Sequence, residues 1–217
     1  EWQSGGRGRL GRPWHSGLGN ALTFSLLWRF ECGLAGLSGL SLAAGVALMR
    51  ALHQLGAREA RLKWPNDLLG PQGKLAGILI EAQGDMLGPS AVVIGVGLNL
   101  SLPQQVLQRI EQPVTDLAHM TTTLPERNQL LALLLRELAT VLREFAQHGF
   151  AALRAEWESY HLYQNQAVLL LMPDGKEIQG IARGVTDEGA LVLEMQHRDT
   201  GMPEKKIFHA GEISLRG

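Results

Sequence analysis

The spacing of apolar positions predicts two long helices set among short strands. Apolar residues are so dense over residues 38–56 that the segment predicts a mostly buried helix, with Ser38 as its N-cap and Gly56 as its stop. A second long helix, with one apolar face, is predicted over residues 125–148, where Pro125 suits the first turn. A shorter helix is expected over residues 150–160.

The segments between these helices predict strands. Apolar runs over residues 60–64, 74–82 and 91–100 are separated by turn-forming residues, which favours an antiparallel meander. Residues 100–124 are expected to be irregular.

The last fifty residues differ in pattern. Short apolar stretches over 167–172, 177–185, 190–195, 207–210 and 213–215 alternate with turn residues, which is typical of a small β-barrel. We therefore predict an α+β fold with a mixed or antiparallel sheet and packed helices. Its domains would cover residues 1–164 and 165–217.

Composition narrows the class of protein. The chain has 217 residues, of which 45% are hydrophobic, so it is long enough and apolar enough to fold around a core. Its 20 basic and 21 acidic residues give a net charge of -1, which argues against a general nucleic-acid binder. The single cysteine, Cys32, fits the reducing cytoplasm, and no apolar run reaches the length of a membrane span. The dense motif directly after Glu1 suggests that a natural N-terminal part is missing.

The strongest chemical signal is a glycine- and arginine-rich loop near the start. Residues 5–12 carry Arg7, Arg9 and Arg12 among glycines, and no acidic residue occurs between Trp2 and Phe30. Glycines allow close backbone approach to a ligand, and guanidinium groups match carboxylates and phosphates. Such composition is also typical of disordered nucleic-acid-binding tails, but the segment is not repeated and folded sequence follows it. We predict a loop that closes over a small anion.

Two further segments carry candidate chemistry. Asn66 and Asp67, at a strand end, have oxygen atoms suited to Mg²⁺ beside a triphosphate, although Pro-Asn-Asp is also an ordinary turn. Lys74 begins an apolar strand and either enters a cavity or extends to solvent. Gly77, inside that strand, suggests close approach of a ligand or backbone.

Taken in order, these segments resemble the biotin protein ligases. The resemblance spans the whole chain and rests on residues 6–12, 63–67, 74–79, 95–99 and 211–216, which are GRGRLGR, KWPND, KLAGIL, GVGLN and GEISLR. Leu10 departs from the family, whose members commonly carry another arginine there, and its effect on loop closure is open. The family's Ser-Thr-Asn biotin-binding segment is expected upstream of Glu1.

The resemblance implies an ATP-dependent, AMP-forming ligase with biotin as substrate and Mg²⁺ as cofactor. Biotin would be activated to biotinyl-5′-AMP and then transferred to a lysine of biotin carboxyl carrier protein, a subunit of acetyl-CoA carboxylase. The second domain would be SH3-like. A homodimer is a further expected assembly, DNA is expected as a partner only with an upstream winged-helix domain, and no membrane partner is expected.

The resemblance also implies the roles of particular residues. Lys74 and Arg9 would be the catalytic residues, and Asp67 would bind the metal. Biotin would be bound by Gln3, Gly6, Arg7, Gly8, Arg9, Lys74 and Gly77. ATP and the adenylate would be bound by Arg7, Arg9, Arg12, Trp14, Asn66, Asn99, Glu212 and Arg216, with Asn99 at the adenine edge and Glu212 and Arg216 closing from the far side.

Two alternatives stay open from the sequence. Lipoate ligases and octanoyltransferases also modify a carrier lysine, but they would lack this Arg/Gly loop followed by KWPND. A corepressor module that senses biotinyl-AMP would need an upstream DNA-binding domain.

Overall fold

A first antiparallel sheet forms the framework of the protein. The computed structural model describes residues 3, 5–15, 17–197 and 201–215, without the side chains of Ser214 and Leu215. The sheet has the strand order β1-β5-β4-β3-β2. Its strands are β1 (Ala21–Phe30), β2 (Arg61–Lys63), β3 (Asp67–Gly70), β4 (Gly73–Gly84) and β5 (Ser90–Asn99). The predicted strands β2, β4 and β5 are confirmed, and β4 pairs antiparallel with β5 as expected, but the unpredicted β3 lies between β2 and β4. Strand β1 was also not predicted.

A β-bulge interrupts the pairing of β3 with β4. Leu68 lies opposite Ala76, but Leu69 lies opposite Lys74, so Leu75 is an extra residue on β4. Residues two apart on a regular strand share a face, so Lys74 would otherwise point with Ala76 and Ile78 into the core. The bulge instead brings Lys74 to the face of Gly77.

Helices cover one face of this sheet. Helices α1 (Leu40–Gln54) and α3 (Arg127–His148) contact the sheet. The chain also forms the short α2 (Gln104–Leu107), α4 (Arg154–Tyr160) and 3₁₀ turns that include Leu34–Leu37, Leu117–His119 and Phe150–Ala152. The core lies between α1, α3 and the inward side chains of the sheet. Helix α1 is buried almost all round, as predicted, because it lies between α3 and the sheet.

The helix boundaries correct three predictions. The N-cap of α1 is Gly39, with φ of 80°, and not Ser38, because the backbone enters the helix through a left-handed conformation next to the Phe150 ring. Helix α3 begins at Arg127, so Pro125 precedes the helix. The segment over 150–160 is a 3₁₀ turn followed by α4.

A second antiparallel sheet follows, with the strand order β10-β6-β7-β8-β9. Its strands are β6 (Ala167–Leu171), β7 (Glu177–Val185), β8 (Leu191–Gln196), β9 (Pro203–Phe208) and β10 (Glu212–Leu215). The arrangement is consistent with an SH3-like domain. Among the described residues, no pairing of β10 with β9 closes the sheet into a barrel.

Polar contacts join the second sheet to the preceding part of the chain. The indole Nε1 of Trp64 donates to the carbonyl of Gly189 at 3.0 Å, and the Glu158 carboxylate accepts from the backbone N–H of Val185 at 3.0 Å. His161 is buried and stacks on Trp157, with ring centroids 4.6 Å apart. The division at residues 164 and 165 stays a prediction. No helix in the described part of the chain is long and apolar enough to cross a bilayer.

We expect His161 to make stability depend on pH. Burial lowers the pKa of its imidazole from 6.5 to about 4. Between pH 6.5 and about pH 4 this histidine is protonated in the unfolded chain but neutral in the folded chain. The free energy of unfolding therefore decreases as the pH is lowered through that window, by roughly 3 kcal/mol in total. His161→Phe keeps the stacking on Trp157 but cannot titrate. Urea denaturation at pH 7 and pH 4.5 should show a smaller acid loss in the variant, and equal losses would contradict this role.

Candidate active site

A cavity of about 330 Å³ lies on the sheet face opposite the helices. Its floor is formed by β4 and β5, one wall by the β2–β3 turn, and its roof by the loop 5–15 together with Glu212 of β10. Most of the predicted site residues line it: Gln3, Gly6, Arg7, Gly8, Arg9, Arg12, Trp14, Asn66, Asp67, Lys74, Gly77 and Glu212. The structure thus gathers residues that are far apart in sequence.

The glycine- and arginine-rich loop is folded back on itself over the cavity. The N–H of Gly8 donates to the Arg12 carbonyl at 2.7 Å, and the N–H of Trp14 donates to the Gly6 carbonyl at 2.8 Å. At its tip Leu10 has a φ of 57°, a left-handed conformation, and its side chain is 73% exposed. Leu10 is therefore exposed to solvent and does not line the cavity.

Arg9 is held by the β2–β3 turn. Its Nη1 donates to Oδ1 of Asn66 at 3.0 Å. Asn66 is itself fixed to β4, because its Nδ2 donates to the carbonyl of Ile78 at 2.8 Å. The guanidinium of Arg9 is therefore oriented by a turn residue that is itself bound to the sheet.

Lys74 enters the cavity and does not extend to solvent. Its Nζ lies 2.8 Å from Oδ1 of Asp67, and both side chains are 18% exposed. The ammonium also lies 5.9 Å from the ring centroid of Trp14, a cation–π distance. A Cβ on Gly77 would lie 3.2 Å from the Cε of Lys74, so glycine leaves the space that this side chain occupies.

Trp14 rests on a floor made by two glycines. Gly77 and Gly97 are direct cross-strand partners in β4 and β5. A Cβ on Gly97 would come within 2.5 Å of Cζ2 of the Trp14 ring, so the indole lies against bare backbone. The indole Nε1 is buried, and the described residues give it no hydrogen-bond acceptor.

An ion pair closes the cavity from the side of the second sheet. Arg12 Nη1 lies 2.5 Å from Oε1 of Glu212. Because both side chains are partly exposed, the pair adds little stability, but it connects the loop to β10. Arg216, predicted beside Glu212, lies outside the described residues.

The structure does not bring Asn99 to the cavity, which corrects its expected place at the adenine edge. Asn99 is 3% exposed, and its Nδ2 donates to the carbonyls of Lys74 and Thr115 at 3.2 and 3.0 Å. The Lys74 carbonyl also accepts from the N–H of Thr115, and the N–H of Lys74 donates to the Pro113 carbonyl. Asn99 therefore fixes the backbone of Lys74.

The geometry at Asp67 does not fit a metal site held by the protein. The Asp67 carboxylate faces the Lys74 ammonium, and the Asn66 oxygen faces the Arg9 guanidinium. Within the described ranges, no three His, Cys, Asp or Glu side chains gather as a cation site. The assignment of a metal to Asp67 thus remains a prediction without support from its surroundings.

Several lining residues were missed from the sequence. Thr23 and Ser25 of β1, Lys63, Glu81 and Gln112 also line the cavity. In β1, apolar Leu22, Phe24, Leu26, Trp28 and Phe30 alternate with the intervening residues. That period of two could have revealed the strand and its cavity-facing positions. Gln112 lies in the irregular segment, where no such signal exists.

Comparisons with known proteins agree with this architecture. Residues 1–99 match the family model "Biotin/lipoate A/B protein ligase family", and residues 164–216 match "Biotin protein ligase C terminal domain". The bifunctional ligase/repressor BirA of Escherichia coli is 41% identical over 220 residues that include all of this chain, which spans only 65% of that protein's length.

This chain covers a larger share of two further relatives. The biotin--[acetyl-CoA-carboxylase] ligase of Mycobacterium tuberculosis is 33% identical over 96% of this chain and 77% of that protein. The structure of the Aquifex aeolicus biotin protein ligase in complex with biotin and ATP superposes with a TM-score of 0.77 at 29% identity, covering 99% of this chain and 85% of the other.

The contact between Trp14 and Gly97 gives a test of the cavity's geometry. We expect Gly97→Ala to displace the indole, to raise its quenching by acrylamide and to lower the free energy of unfolding by about 1–3 kcal/mol. The control is Gly95→Ala on the same strand, whose Cβ would meet Leu79 only at 3.5 Å or more. Both effects should disappear in a Trp14→Ala background. Equal behaviour of the Gly97 and Gly95 variants would contradict the packing described.

Proposed function

The chain belongs to the biotin protein ligase family, and on that premise we propose that it joins biotin to a lysine of a carrier protein at the expense of ATP. The observation that carries the proposal is the convergence of cations on one cavity from two directions. Arg9 comes from the roof and Lys74 from the floor, and each is fixed by a partner on the sheet. This arrangement suits two anions that must be brought together.

The first step joins two groups that repel each other. A carboxylate oxygen of biotin attacks the α-phosphorus of ATP, the bond from that phosphorus to the bridging oxygen breaks, and pyrophosphate leaves with the electron pair. Positive charge from Arg7, Arg9 and Lys74 lowers the repulsion between the carboxylate and the phosphate and stabilises charge as it develops. The product is biotinyl-5′-AMP.

The second step transfers the biotinyl group. The amine of a carrier lysine attacks the acyl carbon of the mixed anhydride, the bond to the phosphate oxygen breaks, AMP leaves and the amine loses a proton. Water would hydrolyse the same anhydride. The loop 5–15 and its ion pair with Glu212 cover the cavity, and we propose that this cover keeps water from the intermediate.

The remaining lining residues receive binding roles. We assign Gln3, Gly6, Gly8 and Gly77 to biotin, and Arg12, Trp14 and Glu212 to the nucleotide, with Asn66 acting on the nucleotide through Arg9 and Arg216 as a further nucleotide contact by family resemblance. Mg²⁺ would neutralise charge on the triphosphate, and we propose that it arrives with ATP, because ATP-using sites commonly bind it through phosphates and water.

The partners follow from the same family. We propose the biotin carboxyl carrier protein of acetyl-CoA carboxylase as acceptor and the cytoplasm as the compartment. A second copy of the chain and DNA stay predictions of the sequence. No feature of the described cavity favours lipoate or octanoate over biotin.

The proposal predicts that the intact protein consumes ATP only when biotin is present. Pyrophosphate release should depend on biotin, and mass spectrometry should detect biotinyl-AMP. Lipoate and octanoate serve as control substrates. Turnover of either at the rate found with biotin would reject biotin as the specific substrate.

Arg9→Ala should weaken the adenylate more than biotin. Arg9 would meet phosphoryl oxygens, and a hydrogen bond to a charged group contributes about 1.5–3 kcal/mol, so adenylate affinity should fall roughly tenfold to a hundredfold. Calorimetry with biotin and with a non-hydrolysable adenylate analogue measures both affinities. Leu10→Ala, at an exposed neighbouring position, is the control. Equal losses for the two ligands in Arg9→Ala would contradict the assigned role.

A further inference from the structure

The β2–β3 turn contacts both cations that converge on the cavity. Asn66 Oδ1 accepts from Arg9 Nη1 at 3.0 Å, and Asp67 Oδ1 lies 2.8 Å from Lys74 Nζ. We propose that Asn66 and Asp67 are positioning residues, Asn66 for Arg9 and Asp67 for Lys74, and that Asp67 is not a metal ligand. This inference deepens the proposed function and rests on it for its catalytic consequence.

Asn66 has the rigidity that such a role needs. Its Nδ2 donates to the Ile78 carbonyl at 2.8 Å, and its own carbonyl accepts from the N–H of Ile78 at 3.0 Å. The side-chain amide is therefore bound to the central part of the sheet, and Oδ1 faces the loop. A glycine-rich loop has little packing of its own, so this contact fixes where the Arg9 guanidinium lies.

Asp67 is equally well fixed. It is the cross-strand partner of Gly77, and the missing side chain of Gly77 leaves room for the Lys74 ammonium, since a Cβ there would lie 3.3 Å from Nζ. Trp14 covers the same ammonium from above. A carboxylate that is 18% exposed is costly to leave unpaired, so its position and that of Lys74 depend on each other.

Electrostatics favours this role over metal binding. Lys74 faces Oδ1 of Asp67 and Arg9 faces Oδ1 of Asn66, and Arg7 and Lys63 also line the cavity. A divalent cation at Asp67 would displace Lys74 and meet the field of these cations. Substrate anions, in contrast, find two cations whose positions are already set.

A double-mutant cycle tests the pair. The variants are Asp67→Asn, Lys74→Ala and their combination. We expect Asp67→Asn to lower kcat for biotin-dependent pyrophosphate release by roughly tenfold or more, with a smaller change in KM for ATP. In the Lys74→Ala background the same substitution should change kcat by less than about twofold. If the fold-losses in kcat of the two single variants multiply in the double variant, the inference is overturned.

Asp174→Asn is the matched control. Asp174 also pairs with a lysine, with its Oδ2 2.7 Å from Lys176 Nζ, but in an exposed hairpin turn of the second sheet. Loss of this pair should leave kcat and KM unchanged. A loss in Asp174→Asn equal to that in Asp67→Asn would mean that the effect is not specific to the cavity and would overturn the inference.

Metal dependence distinguishes between two alternative roles of Asp67, which are positioning Lys74 and binding a metal. The Mg²⁺ concentration for half-maximal rate at saturating ATP should be the same in wild type and Asp67→Asn. Calorimetric titration of the ATP-free protein with MnCl₂ should also be the same. A several-fold rise in the Mg²⁺ requirement, or Mn²⁺ binding that Asp67→Asn abolishes, would assign the carboxylate to a metal.

Asn66→Ala tests the other half of the proposal. It should reproduce the selective loss of adenylate affinity expected for Arg9→Ala, and the double variant should be no weaker than Arg9→Ala alone. A further loss in the double variant would mean that Asn66 contacts the ligand independently of Arg9, which would overturn its positioning role.

Stability measurements keep this inference separable from the proposed function. The losses in urea midpoint for Asp67→Asn and Lys74→Ala should sum to more than the loss in the double variant, whether or not the protein turns over biotin. If wild type releases no pyrophosphate with biotin, the proposed function fails. The urea cycle and the Mn²⁺ titration then decide on Asp67, and additive midpoint losses would overturn its pairing with Lys74.

Discussion

The β-bulge between β3 and β4 is the constraint on which the cavity depends. If β4 were regular through Leu75, Lys74 would share a face with Ala76 and Ile78, which pack in the core. An unpaired ammonium there would be strongly destabilising. The bulge lets one strand bury Leu75 and Ala76 in succession and still direct Lys74 to the other side, where Asp67 accepts its charge. One irregularity in strand register thus allows β4 to contribute apolar side chains to the core and a lysine to the cavity.

Close approach of the loop depends on backbone without side chains. Gly77 and Gly97 face each other across β4 and β5, and the Trp14 indole lies flat against them. The loop gains an apolar contact with the sheet at that point, while its own hydrogen bonds between residues 6 and 14 keep it folded. The two glycines of the floor and the hydrogen bonds within the loop together explain how a segment rich in glycine and arginine can form a defined roof.

Three cations of the cavity are each held by a polar or acidic partner. Asn66, Asp67 and Glu212 hold Arg9, Lys74 and Arg12 at three points around the space. Cations held in this way do not need to be reorganised when an anion binds, which is the physical basis of electrostatic preorganisation. Because Glu212 belongs to the second sheet, its ion pair with Arg12 connects that sheet to the loop.

The sequence by itself determined the local features of this protein. Dense apolar spacing specified α1 and α3, turn residues placed the β4–β5 and β6–β7 hairpins, and the ordered motifs indicated the family and most of the cavity lining. These signals are local because helix periodicity and turn chemistry involve residues only a few positions apart. Only the tertiary structure decided which face Lys74 takes, that Asn99 braces a backbone carbonyl, and that Asp67 meets an ammonium. Those outcomes depend on strand register and on contacts between distant segments, and a one-residue change in register reverses the face of a side chain without altering the apolar pattern from which it was predicted.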